Sequence, residues 1–500
     1  MNPSTTVGNT DYQNGFRRNR GTTDAIFSLK QALRARCKAG EHTFVLFVDL
    51  VKAFDSVERS ALLMVLQKFG FGPQYCRAVE NLHLDLKIVL REGEESCSFG
   101  NTVGVKQGDT LAPVLFVLYM HAVVSSLRQE EINSVYSSPW FCGPGFDSSP
   151  TNRCKFYFDK GNPNMNMSCR TNLKKKYYKV ENKNVSHNFI RTDVHSLMYA
   201  DDAAFVFSTP DTLRLGARKL RAHFARWSLS FHVGKNRQIG LAGIESKSVM
   251  MFFPGRPLPG ETKAEVAKTW KSFAYGQNCS MSLTEYIPFV DSFVYLGALI
   301  TRDVTCDDAA VKRNIAKASA AFGASKVFAY QNRSLPFSLR AKIYSATVLP
   351  ILLYSSETWI YKASTWKLLA AFHHRCIRTM TNVNMALTET FHIRTADLRN
   401  RLRLESIEVF AARRVLGWLG HLARMNVDFA ARQLLTAFVS MADTSFPIPG
   451  GNNKTYGASC AQFLKMVNVD IDVWFVSAQN RDNWRDQIKS MTSLTRQTPS

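Results

Sequence analysis

The segment SLMYADDAAFVF, from Ser196 to Phe207, is the most informative part of this sequence. Apolar residues flank Ala200, Asp201 and Asp202, and a tight turn at these three would let two strands pair as a hairpin. Adjacent carboxylates at the tip of an apolar hairpin repel each other, and bound cations would relieve that repulsion. The stretch therefore predicts a hairpin with a metal-binding tip, and a solvated acidic turn is the alternative.

A second acidic segment lies upstream, at the end of HTFVLFVDL (42–50). This near-continuous apolar run predicts a strand that is buried on both faces, and Asp49 stands where the strand passes into a loop. A helix is predicted next, with Asp55 as its N-terminal cap. If the strand pairs beside the hairpin, Asp49 joins Asp201 and Asp202, because neighbouring strands lie about 4.8 Å apart. An ordinary strand-end acid that binds backbone amides is the alternative for Asp49.

Three converging carboxylates predict a particular chemistry. They form a hard oxygen site suited to Mg²⁺, which keeps some of its waters and binds substrate phosphates as well. Two such ions about 4 Å apart can activate a primer hydroxyl and stabilise the leaving pyrophosphate in an in-line displacement. Such chemistry asks the protein mainly for positioning and charge neutralisation. The carboxylates therefore predict nucleotidyl transfer with two Mg²⁺ ions as cofactors, with Mn²⁺ as the alternative ion.

The charge of the chain favours the same class of partner. Its 500 residues include 63 Lys and Arg against 40 Asp and Glu, which gives a formal charge of +23. This excess favours a polyanion, because each neutralised phosphate releases condensed counterions. The basic residues are spread along the chain, which disfavours a membrane surface. No apolar run is long enough to span a bilayer and the N-terminus does not resemble a signal peptide, so an intracellular, nuclear protein is expected and secretion is not.

Five segments resemble, in order, the motifs of reverse transcriptases of the non-LTR (LINE-type) retrotransposons. They are QNGFRRNRGT (13–22), FVDLVKAFDSV (47–57), VKQGDTLAP (105–113), YADD (199–202) and FVYLG (293–297). Any one string is moderately specific, whereas five in order over more than half of the chain are highly specific. The resemblance covers the polymerase region without the upstream endonuclease. It implies a nucleotidyltransferase, an RNA-directed DNA polymerase that serves the movement of a transposable element.

The resemblance also implies roles for single residues. Asp49, Asp201 and Asp202 match the catalytic carboxylates that bind the metal ions. Phe54 matches the aromatic residue that rejects a ribose 2′-hydroxyl, which implies deoxynucleotide triphosphates as substrates. The other residues that match substrate-binding positions are Gln107, Gly108, Arg17, Arg20 and Lys247. The implied partners are an RNA template and a DNA primer or target DNA.

Some of these assignments have alternatives. Arg17 and Arg20 are candidates for gripping the triphosphate, because guanidinium groups bind phosphate in bidentate fashion. A solvated basic loop is the other interpretation of these two arginines. For the lysine that follows the hairpin helix, Lys247 is the best match and Lys235 competes with it.

The implied fold is a right-hand polymerase of the α+β class, with an antiparallel palm sheet, partial fingers and a helical thumb. Residues 1–300 are expected to form fingers and palm, with an inserted loop at about 129–191 that is rich in Asn, Lys, Ser, Gly and Pro. Residues 301–385 are the predicted thumb, with amphipathic helices at 307–330, 336–354 and 366–379. These helices carry the basic residues Lys312, Arg313, Lys317, Lys326, Arg340 and Lys342.

Residues 386–500 resemble the C-terminal region of non-LTR elements. The segments GWLGHLARM (417–425) and AQNRDNW (478–484) carry this resemblance, and PILLYSSETW (350–359) precedes them. Ser355 stands where a glycine is usual. Trp418 and His421 are expected to pack rather than to catalyse.

Three other functions stay open. Only twelve residues precede Gln13, so incomplete fingers are expected, and a truncated or degraded element that binds nucleic acid without polymerase activity is the main alternative. A group II intron-type enzyme is disfavoured by the C-terminal tryptophan motifs. A virus-type RNA polymerase is disfavoured by Phe54 and by Ala200, which stands where such polymerases have glycine.

Overall fold

The computed structural model describes most of the chain and divides it into two compact units. The described residues up to Leu296 belong to the first unit, and those from Gly297 onward belong to the second. The predicted inserted loop and Gln107 lie outside the described residues. The described ranges are 13–38, 41–84, 86–106, 108–127, 196–235, 243–255, 279–280, 285–426, 429–439, 455–471 and 473–494.

The first unit combines helices with antiparallel sheets, which confirms the predicted α+β class. Its described helices are α1 (Thr22–Lys38), α2 (Arg59–Lys68), α3 (Pro73–His83), α4 (Ala112–Ser126) and α5 (Pro210–Arg226). Its described strands are β1 (Thr43–Val48), β2 (Lys87–Glu92), β3 (Glu95–Gly100), β4 (Ser196–Tyr199), β5 (Asp202–Phe207), β6 (Gly234–Lys235), β7 (Val249–Phe253), β8 (Cys279–Ser280), β9 (Glu285–Ile287) and β10 (Ser292–Tyr295).

The central sheet of this unit has the strand order β4-β5-β1-β7. All six residues of β1 are buried, as its continuous apolar run predicts. The strands β4 and β5 form the predicted hairpin, with Tyr199 opposite Asp202. Because β1 pairs with β5, with Val48 opposite Ala203, the strand that leads to Asp49 lies beside the strand that begins at Asp202.

Two helices and the sheet enclose the core of the first unit. From α4, Phe116 and Met120 are fully buried, and from α5, Leu213 and Phe224 are fully buried against the same apolar cluster. Each large apolar side chain buried in this way stabilises the fold by about 2 kcal/mol. The turn before α5 is fixed by a capping box, in which Thr209 and Thr212 bond to each other's backbone. The helices α4 and α5 therefore pack on the central sheet that contains the hairpin.

The start of α2 differs from the prediction. Asp55 does not cap the helix, because residues Phe54–Ser56 form a turn of 3₁₀ helix and α2 begins only at Arg59. The N–H of Ser56 donates to the carbonyl of Lys52 at 3.0 Å, which closes this extra turn. The position before α2 is taken by Glu58, whose side chain makes no capping hydrogen bond to the helix backbone and instead accepts the hydroxyl of Ser60 at 3.1 Å.

The second unit begins with β11 (Ala298–Thr301), and its other described elements are helices. The three predicted thumb helices are present, although the second is interrupted before Pro350, which has no N–H to continue it. No described helix is long and apolar enough to cross a membrane. The helices are α6 (Asp308–Ala324), α7 (Phe337–Thr347), α8 (Leu349–Leu352), α9 (Ala363–Thr381), α10 (Met385–Thr390), α11 (Thr395–Leu402), α12 (Ile407–Arg424), α13 (Ala430–Val439), α14 (Tyr456–Lys465), α15 (Trp474–Ser477) and α16 (Arg481–Leu494).

The basic residues of these helices do not all face solvent. Arg340 is only 2% exposed, and its guanidinium donates to the carbonyls of Asn332 and Met380, each at 2.6 Å. It also donates to the carbonyl of Tyr330 at 3.3 Å. Arg340 is therefore not available to bind a nucleic acid, because its N–H groups bind backbone carbonyls around the turn before α7.

Two C-terminal segments that were noted in the sequence pack together. Trp484 on α16 is 1% exposed, and its indole N–H donates to the carbonyl of Leu416 at 2.9 Å. A Cβ at position Gly420 would lie 2.3 Å from that indole nitrogen, so α12 needs a glycine there. Trp418 and His421 are half-buried on the same helix, and their packing role stays a prediction.

Ser355 has a backbone conformation that is unfavourable for a residue with a side chain. Its φ is 55°, in the left-handed region that glycine adopts without steric cost. The turn after α8 therefore favours the glycine that is usual at this position.

Candidate active site

The three predicted carboxylates lie at one end of the central sheet. Asp202 is the first residue of β5 and Asp201 occupies the hairpin turn before it. Asp49 follows the last residue of β1, which is paired beside β5. Asp49 and Asp201 are half-buried, and Asp202 is exposed. The sheet topology thus brings together residues from two distant segments, as the sequence predicts.

The backbone at Asp49 is held from the side of β7. Its N–H donates to the hydroxyl of Ser248 at 3.1 Å, and its carbonyl accepts the N–H of His232 at 2.8 Å. Ser248 is fully buried. These bonds fix the point at which the strand passes into the loop.

The hairpin turn is held by a glutamine from the N-terminal motif. Ala200 has a φ of 57°, which is costly for a residue with a Cβ. The side chain of Gln13, itself 3% exposed, accepts the N–H of Ala200 at 3.0 Å and donates to its carbonyl at 3.3 Å. A Cβ at Gly15 would lie 2.4 Å from the nitrogen of Ala200, so the N-terminal segment can approach the turn this closely only with glycine. Gln13 is a positioning residue for the turn.

The sequence places Gln13 in the N-terminal motif but does not indicate a role for this residue. The neighbouring Asn14 donates its N–H to the carbonyl of Met198 at 2.8 Å, so the motif lies along the hairpin strand. The available signal was the Gln-x-Gly spacing before two arginines. It could not reveal the partner, which is 187 positions away.

The carboxylates influence one another electrostatically. Burial raises the pKa of Asp202 to about 6, and the negative charges of Asp201 and Asp49 contribute to the increase. Burial also raises the pKa of Asp201, with a further contribution from Asp49. All three carboxylates are therefore within electrostatic reach of one another, and each negative charge disfavours ionisation of its neighbours.

The donor set fits a hard cation. Among the described residues, no group of three or more His, Cys, Asp and Glu side chains is placed so that it could hold a metal ion by itself. Asp49, Asp201 and Asp202 nevertheless supply only oxygen donors, which Mg²⁺ prefers. A divalent cation would also relieve the repulsion that raises the pKa of Asp202. These residues suit a metal that completes its coordination with water and substrate.

Relative to the parent, we expect Asp202→Asn to have a higher free energy of unfolding at pH 7 than it does at pH 4. The pKa of Asp202 is about 6 in the folded protein and 3.8 without the fold, so the folded state binds the proton more tightly. The protonated Asp202 therefore stabilises the folded parent. This stabilisation is fully present below pH 3.8 and is lost as the pH rises through 6, whereas the asparagine variant has no such loss. The measurement is the free energy of unfolding in urea at both pH values without divalent ions.

The matched control for this measurement is Asp211→Asn, which replaces an exposed carboxylate on α5. Its difference from the parent should be the same at both pH values. If Asp202→Asn also differs from the parent equally at pH 4 and pH 7, the electrostatic description of the site is wrong.

Phe54 lies beside the loop that contains Gly108. Its ring stacks on Phe116, with ring centroids 4.4 Å apart and planes 18° from parallel. Its carbonyl accepts the N–H of Val105 at 2.9 Å, which ties the 3₁₀ turn to the glycine loop. Gly108 is exposed, and its φ of 88° favours glycine. The ring and the glycine loop are thus parts of one local structure.

The two predicted arginines converge on the N-terminal motif. Arg17 and Arg20 both donate to the carbonyl of Gln13, at 3.2 and 3.1 Å. Burial lowers the pKa of Arg20 to about 10, partly offset by Asp24. Both candidate triphosphate ligands are therefore anchored to the residue that holds the hairpin turn.

The candidate lysines are both exposed. The N–H of Lys247 donates to Nδ1 of His232 at 3.3 Å, which places it beside the backbone that supports Asp49. Lys235 is on β6. The choice between Lys247 and Lys235 stays a prediction.

The segment FVYLG packs behind the hairpin. Phe293 and Tyr295 both contact the ring of Phe47, with centroids 4.8 and 5.4 Å apart. The hydroxyl of Tyr295 donates to the carbonyl of Leu197 at 3.2 Å. Burial raises the pKa of Tyr295, and the charge of Asp202 raises it further, so the phenol lies within reach of the acidic end of the sheet.

Comparison with known proteins shows what this chain is similar to. Residues 4–143 match the reverse transcriptase (RNA-dependent DNA polymerase) family. The chain is 30% identical over 119 residues to the retrovirus-related Pol polyprotein from the type-2 retrotransposable element R2DM of Drosophila melanogaster, covering 24% of this chain and 11% of that protein. It is 30% identical over 112 residues to the Pol polyprotein from the type-1 retrotransposable element R2 of Popillia japonica, covering 22% and 18%.

A third relative is the transposon TX1 uncharacterized 149 kDa protein of Xenopus laevis. It is 26% identical over 119 residues, which are 23% of this chain and 9% of that protein. The chain thus spans a small part of each of these relatives. The resemblance of this chain to the reverse transcriptases of non-LTR retrotransposons, inferred from its motifs, is confirmed.

Proposed function

We propose that this chain is an RNA-directed DNA polymerase that adds deoxynucleotides to a primer 3′ end and serves retrotransposition. The observation that carries the proposal is the placement of Asp49, Asp201 and Asp202 at one end of an antiparallel sheet. The family match over residues 4–143 supports the same reaction. The substrates are deoxynucleotide triphosphates, and the partners are an RNA template and a DNA primer or target DNA.

In this proposal the acidic residues hold two Mg²⁺ ions, and Mn²⁺ could replace them. Bound there, the ions would supply Lewis-acid activation of the primer hydroxyl and charge stabilisation for the leaving pyrophosphate. Asp49, which follows β1, and Asp201 and Asp202, which lie at the hairpin turn, would hold these ions. Gln13 keeps the turn in the conformation that presents these carboxylates, through its two bonds to Ala200.

The remaining residues bind and select the nucleotide. Arg17 and Arg20 grip the triphosphate by bidentate hydrogen bonds. Gln107 and Gly108 shape the pocket for the template and the incoming nucleotide, and Lys247 contributes a positive charge. Phe54 lies against the sugar and excludes a 2′-hydroxyl, supported from behind by the ring of Phe116.

The proposed architecture is that of a right-hand polymerase, and the proposed location is the nucleus. The first unit supplies palm and fingers within residues 1–300, and the helices within residues 301–385 form the thumb. Residues 386–500 are the C-terminal region of the non-LTR type. The strand order β4-β5-β1-β7 supports the assignment of the central sheet to the palm.

Phe54→Ala tests the proposed reaction and its sugar choice together. With an RNA template, a DNA primer and Mg²⁺, the parent should extend the primer with deoxynucleotides. The variant should use ribonucleotides up to about 100-fold better relative to deoxynucleotides, because one pocket contact with a hydroxyl discriminates by about that factor. Phe54→Tyr keeps the ring and should behave as the parent.

The control is Phe71→Ala, which removes an exposed phenylalanine that follows α2. Equal discrimination in parent and Phe54→Ala would remove Phe54 from the sugar contact. A parent that binds the duplex but never extends the primer would favour the truncated or degraded element.

A further inference from the structure

One stretch of the second unit carries a large positive charge with little acidic compensation. Between Asp308 and Glu389 the sequence contains eleven Lys and Arg and a single acid, Glu357. That acid is nearly buried and is already paired with Arg414, at 2.8 Å. The exposed cations of this segment therefore have no acidic residue nearby in the sequence.

One face of α9 concentrates part of this charge. Lys367 and Arg375 are exposed and Arg378 is half-exposed. Their spacing keeps all three within about 80° around the helix axis, because each residue turns the helix by about 100°. The opposite face of α9 is apolar and buried, with Leu369 and Phe372 in the core.

The positive face continues onto α11. Burial lowers the pKa of His374 on α9, and Arg378 and Arg399 lower it further while Glu408 opposes them. Arg399 of α11 is therefore within electrostatic reach of the same imidazole as Arg378. Arg403 follows one turn later and is exposed. The helices α9 and α11 pack against each other, and Arg403 is the residue that directly follows α11.

These arginines have few polar partners in the protein. Within the described parts of the chain, no carboxylate lies within ion-pair distance of Arg378, Arg399 or Arg403. The guanidinium of Arg375 donates only to the hydroxyl of Ser319, at 3.3 Å. Guanidinium groups kept at a surface without acidic partners can bind phosphate in bidentate fashion.

An exposed aromatic ring adjoins the arginines in the chain. Phe391 is 67% exposed and lies in the connection between α9 and α11, directly after α10. Exposure of an apolar ring to water is unfavourable compared with its burial. An exposed ring of this kind offers a platform on which an unpaired base can stack.

We propose that Arg375, Arg378, Arg399, Arg403 and Phe391, here called the arginine surface, bind single-stranded RNA. The arginines would contact the backbone phosphates and Phe391 would stack on one base. A duplex does not satisfy both parts, because its bases are already stacked on each other. The choice of RNA rests on the proposed function, in which the RNA template ahead of the copied region is the single-stranded polymer.

The test is the affinity of the full chain for a labelled unstructured RNA, measured by fluorescence anisotropy over a range of salt. The double variant Arg378→Gln/Arg399→Gln should bind about tenfold more weakly. Its dependence of log affinity on log salt should be less steep by about 1.4, since each phosphate contact of a single strand contributes about 0.7. The matched control Arg77→Gln/Arg485→Gln removes the same charge from exposed arginines elsewhere and should keep the parent's affinity and slope.

Phe391→Ala should weaken RNA binding about tenfold with an unchanged salt slope, because stacking releases no counterions. Its control is Val476→Ala, which shortens another exposed apolar side chain of this unit and should bind as the parent does. Equal losses in the test and control variants would overturn the proposal. Tighter binding of single-stranded DNA or of a duplex at this surface would overturn the choice of RNA.

Binding and polymerisation are separable in this design. The anisotropy measurement requires no primer extension, so the arginine surface can be supported in a chain that is catalytically inert. Conversely, normal primer extension together with unaltered RNA affinity in Arg378→Gln/Arg399→Gln would overturn the surface and leave the proposed polymerase function in place.

Discussion

Asp49→Asn and Asp201→Asn are each expected to lower primer extension by at least ~1000-fold, which corresponds to about 4 kcal/mol of activation free energy. Asparagine keeps the size of the side chain and removes its charge, so the metal ions lose a principal ligand while the fold survives. Asp49 follows one strand and Asp201 precedes its neighbour in the same sheet, and in the proposed reaction both hold the same ions. The double variant should be little worse than either single one, because residues that act as a unit are not additive.

The experiment compares purified parent and variants on one RNA template and DNA primer with Mg²⁺, with duplex affinity measured in parallel. Duplex affinity should change little, since the helical thumb is proposed to supply it. Asp211→Asn, on the surface of α5, serves as the control and should extend the primer at the parental rate. If Asp201→Asn extends the primer as well as the parent does, the assignment of the catalytic carboxylates is wrong.

Gln13→Ala is expected to lower the turnover number by about 100-fold, because a displacement of about 1 Å in a catalytic group can cost that much. The variant loses both hydrogen bonds to Ala200, whose left-handed conformation is otherwise costly. The carboxylates that follow in the turn would then lose their fixed position. We also expect a higher Mg²⁺ concentration for half-maximal rate and an unchanged affinity for the primer–template duplex.

Gln13→Glu keeps an oxygen that can accept the N–H of Ala200 and should retain part of the turnover. Gln67→Ala replaces an exposed glutamine on α2 and is the control. A positioning role for Gln13 would be rejected if its turnover and Mg²⁺ dependence match those of the control. It would also be rejected if the lost activity is explained fully by a lower free energy of unfolding.

The parts of the fold that could be predicted are those encoded by local pattern. The apolar run before Asp49 predicted a buried strand, and the apolar residues around Asp201 and Asp202 predicted a hairpin, both of which the structure contains. The convergence of the carboxylates required only that the two elements pair, and β1 does pair with β5. Continuous apolar runs determine which strands can be buried next to each other.

The parts that could not be predicted depend on distant partners. Gln13 and Ala200 are 187 positions apart, and nothing in either segment identifies the other as its hydrogen-bond partner. Arg340 was grouped with exposed basic residues, since an arginine that binds carbonyl groups has the same local sequence context as one that faces solvent. Asp55 failed as a cap because the preceding loop makes an additional 3₁₀ turn, which apolar periodicity does not detect.

The contact between Trp484 and Gly420 has a genetic consequence. A stop codon between α12 and codon 484 would delete the indole, leave the carbonyl of Leu416 without its donor and open a cavity beside α12. Loss of a buried aromatic side chain costs about 3–5 kcal/mol, out of a typical total stability of about 5–15 kcal/mol. A late nonsense mutation is thus expected to lower the abundance of the protein severely. Selection would then act on the reading frame through this last helix.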